Sequence, residues 1–279
     1  MAYRTLVSPE QLFETLGDEG LVVVDCRHAL GDFGLGLRLY EESHLPGAFF
    51  ASVEDELAGT KTGKNGRHPL PDPERFARFL RSCGGGDDSQ LVAYDAGGDM
   101  FAARFWFLSR WIGHQNVAVL DGGFAAWTAL GYPVTRELPN PRQGSLAVRL
   151  NPKYIVDADY VLAHLGSDAM QLLDARARER YTGESETVDP VAGRIPGAQN
   201  RFFKDNFDEN GRFKSPDALR AEFEATGLDP KRVVHQCGSG VSAAAQLFAM
   251  HHAGLEGSRV YNGSWSEWIA DPTRPIERD

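Results

Sequence analysis

The sequence contains itself twice, and that repeat limits the possible folds more than any other feature. Asp121-Gly122-Gly123-Phe124-Ala125-Ala126-Trp127 reappears as Asn262-Gly263-Ser264-Trp265-Ser266-Glu267-Trp268, an offset of 141 positions. The same offset, carried back without a gap, lays Val92-Ala93-Tyr94-Asp95-Ala96-Gly97-Gly98 over Val233-Val234-His235-Gln236-Cys237-Gly238-Ser239. Nearer the start of each half, Val24-Asp25-Cys26-Arg27 pairs with Leu173-Asp174-Ala175-Arg176. His44-Leu45-Pro46-Gly47-Ala48 then pairs with Arg194-Ile195-Pro196-Gly197-Ala198. Four matched blocks in one order mark tandem domains. The first spans residues 1–136 and the second 151–279, joined by the polar, Pro-bearing link 137–150.

Each half alternates short apolar runs with helical periodicity. In the first, Ser8 and Pro9 open a helix to about Leu16, followed by a strand over 21–25 and a helix from Asp72 to Cys83. A strand over 91–94, a helix over 100–112, a strand over 117–120 and a short helix bearing Trp127 complete it. The second half is read as helix 158–165, strand 170–174, helix 216–225, strand 233–236, helix 241–253 and strand 259–261. Strands separated by helices predict an α/β fold, each domain a mostly parallel sheet flanked by helices on both faces. In such sheets ligands sit beyond the C-terminal strand edge.

Composition removes several classes of function. The net charge of −10, with no basic stripe, argues against a nucleic-acid partner. The N-terminus has no long apolar run, so no signal peptide is expected, and no stretch reaches the roughly 20 apolar residues of a membrane span. Three widely spaced cysteines, Cys26, Cys83 and Cys237, suit a reducing cytoplasm and offer no disulfide framework or zinc knuckle. The histidines show no ligand spacing, so no metal is expected.

One of those cysteines occupies a chemically consequential place. Arg232-Val233-Val234-His235-Gln236 reads as a buried strand and Val241 onward as an Ala-rich helix, with Cys237-Gly238-Ser239-Gly240 between them. The two glycines let the loop curl so that backbone N–H groups converge on the sulfur. The helix start adds partial positive charge, and both effects favour thiolate over thiol. Cys237 is therefore the candidate nucleophile, in a pocket that also holds an anion. The repeat acts as an internal control. Both halves keep the Asp-x-Arg, Pro-Gly-Ala and aromatic-turn blocks, but the ungapped offset sets Ala96 opposite Cys237, beside Asp95 and Asp99. An acidic loop would repel an anion, so the first copy reads as a structural partner.

Taken with Arg180-Tyr181-Thr182-Gly183, the Cys237-Gly238-Ser239-Gly240-Val241-Ser242 loop and the block from Tyr261 to Trp268, these paired motifs resemble the tandem-domain rhodanese family of sulfurtransferases over nearly the whole chain. The resemblance implies two rhodanese-like domains, the first catalytically inactive and the second catalytic. It implies that Cys237 takes a sulfane sulfur from a small-molecule donor, becomes a persulfide and passes the sulfur to cyanide or a thiol. It implies no metal or organic cofactor, because the sulfur travels on the protein, and a monomeric cytoplasmic enzyme with no nucleic-acid or membrane partner.

Roles for other residues follow from the same source. Amides from Gly238 through Gly240 and Val241 to Ser242 would steady charge on the sulfur, and the Ser239 and Ser242 hydroxyls could bond an incoming anion. Arg180 aligns with the family's substrate-anchoring arginine, whose planar fork suits a carboxylate or sulfonate. His68 matches a histidine that mercaptopyruvate-type members bring to the site as a proton donor or relay. Arg176 recurs as Arg27 in the inactive half and is assigned to a structural ion pair. Gly238 and Ser239 stand where thiosulfate-preferring members carry Arg and Lys, which favours 3-mercaptopyruvate as donor. Against that, the second arginine of mercaptopyruvate-type members, some nine residues after the first, has no counterpart in Glu186-Thr187-Val188-Asp189. Thiosulfate:cyanide transfer and a non-catalytic sulfur-binding or regulatory module are the alternatives. A phosphatase is excluded because Ala243 stands where its loop arginine is needed. A cysteine protease is excluded because His68 alone cannot complete its machinery.

Overall fold

The computed structural model describes residues 2–279, and its contacts separate the chain into two compact units. Unit 1 comprises the chain up to Gly59, Pro71–Asn151 and Phe207–Phe213; unit 2 comprises Thr60–Leu70, Pro152–Asn206 and Lys214–Asp279. Two short segments thus belong to the unit built mainly from the other half of the sequence. The stretch 137–150 is part of unit 1. Its Arg142, Gly144 and Leu146 amides donate to the Ser82, Arg81 and Gly85 carbonyls, and Leu146 is buried.

Unit 1 runs β1 (Leu6–Val7), α1 (Pro9–Thr15), β2 (Leu21–Asp25), α2 (Leu35–Glu42), β3 (Phe49–Phe50), α3 (Pro73–Ser82), β4 (Gln90–Tyr94), α4 (Phe101–Trp111), β5 (Val117–Leu120) and α5 (Gly123–Ala129). Unit 2 runs β6 (Ile155–Val156), α6 (Ala158–Ala163), β7 (Gln171–Asp174), α7 (Arg178–Thr182), β8 (Gln199–Asn200), α8 (Pro216–Ala225), β9 (Val233–Gln236), α9 (Val241–His252), β10 (Arg259–Tyr261) and α10 (Ser264–Trp268). Each sheet is five-stranded, in the equivalent orders β1-β5-β4-β2-β3 and β6-β10-β9-β7-β8. All the strand pairings are parallel. The expected α/β architecture of two parallel sheets flanked by helices is the one present. Among the described residues no helix is long and apolar enough to cross a membrane.

Local chemistry explains the helix starts. Ser8 accepts from the Gln11 amide at 3.2 Å while the Gln11 side chain accepts from the Ser8 amide at 2.9 Å, a reciprocal cap that opens α1. Asp72 caps α3 and Ser215 caps α8 one way only, each side chain accepting from a first-turn amide and each followed by Pro. The helix after each central strand is different. Every residue of α4 is buried, as is α9 from Val241 to Met250, so neither shows an amphipathic stripe. The two-residue strands β1, β3, β6 and β8, and the short helices α2 and α7, were not expected. Two residues carry no alternation to read, and these strands exist only because a parallel partner accepts them, as Val119 and Leu120 accept Leu6 and Val7.

Sheet register corrects one alignment. Tyr94 pairs with Asp25 as Gln236 pairs with Asp174, so the residue leaving the strand is Asp95 in unit 1 and Cys237 in unit 2. Asp95, not Ala96, stands in the place of the cysteine. The loop then runs six residues to the cap Met100 in unit 1, but only four, from Cys237 to the cap Gly240, in unit 2. An ungapped comparison hides this difference.

Candidate functional site

Cys237 follows the last residue of β9, and the chain turns at Gly240 into α9. Gly240 has φ +86°, and a Cβ there would run into the Asn262 carbonyl, so the turn requires glycine on two counts. The turn aims the Gly240 amide at Cys237 Sγ, 3.0 Å away. Because Gly240 is the cap residue of α9, and Val241 and Ser242 form the first turn, the sulfur meets the positive end of a twelve-residue helix. Cys237 itself is 2% exposed.

The loop is tied down by the turn that opens α10. Cys237 and Gly238 carbonyls accept from the Trp265 and Ser266 amides at 3.0 and 2.9 Å. Ser264 Oγ accepts from the Cys237 amide at 3.1 Å, donates to the Tyr261 carbonyl at 2.9 Å and lies 3.9 Å from Sγ. Ser264 has φ +55°, a left-handed conformation that no other non-glycine among the described residues adopts. Unit 1 has Gly123 at the repeat-equivalent place, with φ +57°. Sequence reasoning missed Ser264. The available signal was a glycine of the first copy replaced by a hydroxyl residue in an otherwise repeated turn.

The segment 60–70 brings two more groups to the loop. Gly66 packs so close that a Cβ on it would lie 2.8 Å from the Gly263 carbonyl, and the Arg67 amide donates to Ser266 Oγ at 3.0 Å. Asn262 Nδ2 donates to the His68 carbonyl at 3.2 Å. These contacts place His68 Nδ1 2.8 Å from Ser239 Oγ, both residues buried.

Arg180, on α7, bonds Glu186 through Nε at 2.9 and 3.0 Å and Asp189 Oδ2 through Nη2 at 2.9 Å. The other Asp189 oxygen accepts from Arg67 Nη1. A Cβ built on Gly238 would lie 2.9 Å from Arg67 Nη2 and 3.3 and 3.4 Å from the two terminal nitrogens of Arg180. Two guanidinium groups therefore face the residue next to Cys237. Burial and then the neighbouring Arg180 charge pull the Arg67 guanidinium below its ordinary value, while Cys237 and Glu186 act in the opposite sense. Nothing in the polar loop around Arg67 singles it out except adjacency to His68. Arg176 is a different kind of arginine, its side chain only 1% exposed. It pairs with Asp174 at 2.7 Å and lies 5.1 Å from the Trp265 ring centre, as Arg27 pairs with Asp25 at 2.6 Å over Phe124.

In unit 1 the equivalent corner holds a carboxylate in place of a sulfur. Asp95 accepts from the Gly97 and Ala102 amides, each at 3.0 Å, and so uses the helix start for itself. The other thiols are remote from such support. Burial pushes Cys83 up to about 12 and Cys26 well above the ordinary thiol range.

The rhodanese-like domain family matches residues 8–130 and 157–271. The chain is 45% identical over 280 residues to the probable 3-mercaptopyruvate sulfurtransferase of Pseudomonas aeruginosa, covering 99% of each chain. It is 34% identical over 280 residues to the thiosulfate sulfurtransferase of Bos taurus, covering 96% of this chain and 92% of the other. The crystal structure of SseA from Escherichia coli, described with the 3-mercaptopyruvate sulfotransferases, superposes with TM-score 0.83 at 30% identity, covering 93% of this chain and 98% of that one. With a match in each half and whole-length relatives well above chance identity, the chain belongs to the rhodanese family of sulfurtransferases.

Proposed function

We propose that this sulfurtransferase moves a sulfane sulfur from 3-mercaptopyruvate to a thiol or cyanide acceptor through a persulfide on Cys237. The observation that carries the reading is the Gly240 amide on Cys237 Sγ, 3.0 Å away at the start of α9. A sulfur so held is fixed in position at a helix start, which suits a nucleophile. In the first half-reaction the Cys237 thiolate attacks the donor sulfur. The carbon–sulfur bond breaks with its electron pair going to carbon, and the resulting enolate takes a proton to become pyruvate. In the second, the acceptor attacks the outer persulfide sulfur and Cys237 leaves as thiolate. The amides from Gly238 to Ser242 support negative charge through both steps. The His68–Ser239 hydrogen bond suits a hydroxyl that orients the donor carbonyl and relays the proton. Arg180 binds the donor carboxylate.

Thiosulfate is the second reading, favoured by the two guanidinium groups beside Gly238, which also suit a sulfonate. In either case residues 151–279 form the catalytic domain and 1–136 an inactive one, a division supported by Asp95 standing where a nucleophile would be. A monomer in a reducing cytoplasm completes the proposal, and the three free thiols accord with it.

The test is direct. Brief exposure to 3-mercaptopyruvate adds one sulfur atom to the peptide bearing Cys237, cyanide removes it, and Cys237→Ser gains none. Initial rates with 3-mercaptopyruvate and with thiosulfate on one preparation rank the donors. Sulfur arriving instead on Cys26 or Cys83, or nowhere, would leave only a binding module.

A further inference from the structure

We infer that Arg67 is a second donor-binding cation, forming with Arg180 a clamp for the donor's anionic group over Gly238, with Asp189 holding the two guanidinium groups in register. The inference deepens the sulfur-transfer reading and rests on it for the identity of the donor.

Four observations carry it. Both guanidinium groups approach the same face of Gly238, which is bonded to Cys237; a Cβ there would be 2.9 Å from Arg67 Nη2 and 3.4 Å from Arg180 Nη1. Neither of those two nitrogens is spent on Asp189 or Glu186. Arg67 spends Nη1 on Asp189, and Arg180 spends Nε on Glu186 and Nη2 on Asp189. The Asp189 side chain is 1% exposed and spans the pair with one oxygen on each arginine, which is how a bound carboxylate would bridge them. Both cations are reachable, with side chains 32% and 21% exposed, whereas the structural Arg176 is at 1%.

A side chain at 238 would have to displace the tip of Arg67 from its place beside the cysteine loop. The positive charge beside the nucleophile comes from segment 60–70 and α7, not from the cysteine loop. Two like charges side by side repel, and the carboxylates of Asp189 and Glu186 offset that without reaching the remaining nitrogens.

The experiment reads binding, not turnover. Pyruvate, the unreactive keto acid left when 3-mercaptopyruvate loses its sulfur, is titrated calorimetrically into the wild-type protein, Arg67→Met and the double variant Arg67→Met/Asp189→Asn. The clamp requires at least a tenfold weakening, about 1.4 kcal/mol, in both variants. If Arg67 served only to neutralise Asp189, removing both would restore wild-type affinity. Restoration in the double variant, unchanged affinity in Arg67→Met, or no pyruvate binding by the wild type at tens of millimolar would each overturn the inference. The sulfur added to Cys237 is measured on the same preparations, so loss of that mass with pyruvate binding intact counts against the persulfide reading alone.

Discussion

At the scale of single residues, the site depends on one strained serine. Ser264 holds φ +55° and uses its hydroxyl to satisfy the buried Cys237 amide and the Tyr261 carbonyl. Strain of this kind persists where surrounding bonds over-determine it. Two substitutions separate strain from bonding. Ser264→Gly relieves the backbone by about 0.5–1 kcal/mol but orphans the Cys237 amide, so it should lose about 1–2 kcal/mol in urea melts. Ser264→Ala keeps the strain and loses the bond, and should cost about 2–3 kcal/mol. Sulfur-transfer rates should fall in both, on the order of tenfold, because the cysteine loop loses an anchor. Wild-type rates in Ser264→Gly would show that the hydroxyl is dispensable. Cys237 was legible in the sequence because a cysteine followed by two loop glycines at a strand–helix junction has few other uses. Ser264 and Arg67 were not, because their partners lie 27 and 122 positions away.

At the scale of elements, α9 is both core and site. Its flanks are buried from Val241 to Met250, so the helix is locked in place, and its cap amide is thereby locked onto the sulfur. The cap conformation is the weak point. Gly240→Ala would combine a left-handed backbone with a clash against the Asn262 carbonyl, at a cost of roughly 1–3 kcal/mol. The expected outcome is a lower thermal midpoint together with slowed alkylation of Cys237 at neutral pH. Unchanged alkylation would mean that the cap does not support the thiolate. The long elements could be read ahead because Ser8, Asp72 and Ser215 announce their starts and the central strands are continuous apolar runs. The two-residue edge strands could not, since they follow from register and not from local preference.

At the scale of the whole molecule, duplication was followed by divergence at one corner of each sheet. Repeat-equivalent residues after β5 and β10 now hold different segments. Asp121 accepts from the Phe213 amide at 3.1 Å in unit 1, and Asn262 donates to the His68 carbonyl at 3.2 Å in unit 2. The second of these delivers the residues around the nucleophile. Unit 2 also carries a buried cost. His235, on β9, is fully buried with neither ring nitrogen hydrogen-bonded, and burial, then the Arg201 charge, pull it down to about 3 from 6.5. The unfolded chain therefore takes up this proton before the folded one does. The contribution is absent above about pH 6.5, and stability falls as pH drops from there toward 3, by about 2 kcal/mol by pH 5. In His235→Leu that part of the acid sensitivity should disappear from urea melts at pH 7 and pH 5, with no loss of stability at pH 7. An equally steep acid slope in the variant would place the sensitivity elsewhere.

By itself the sequence determined the duplication and the α/β class and singled out Cys237 as the candidate nucleophile, because these are written in local chemistry: turn glycines, apolar runs, a cysteine at a helix start; the roles expected of Arg180 and His68 came from the family resemblance. Only the tertiary structure decided that Asp95 stands in the cysteine's place, since strand pairing and not residue counting sets register. It alone set Arg67 beside Gly238 and put the already expected His68 against Ser239, because a loop's destination depends on long-range hydrogen bonds that leave no period or motif along the chain.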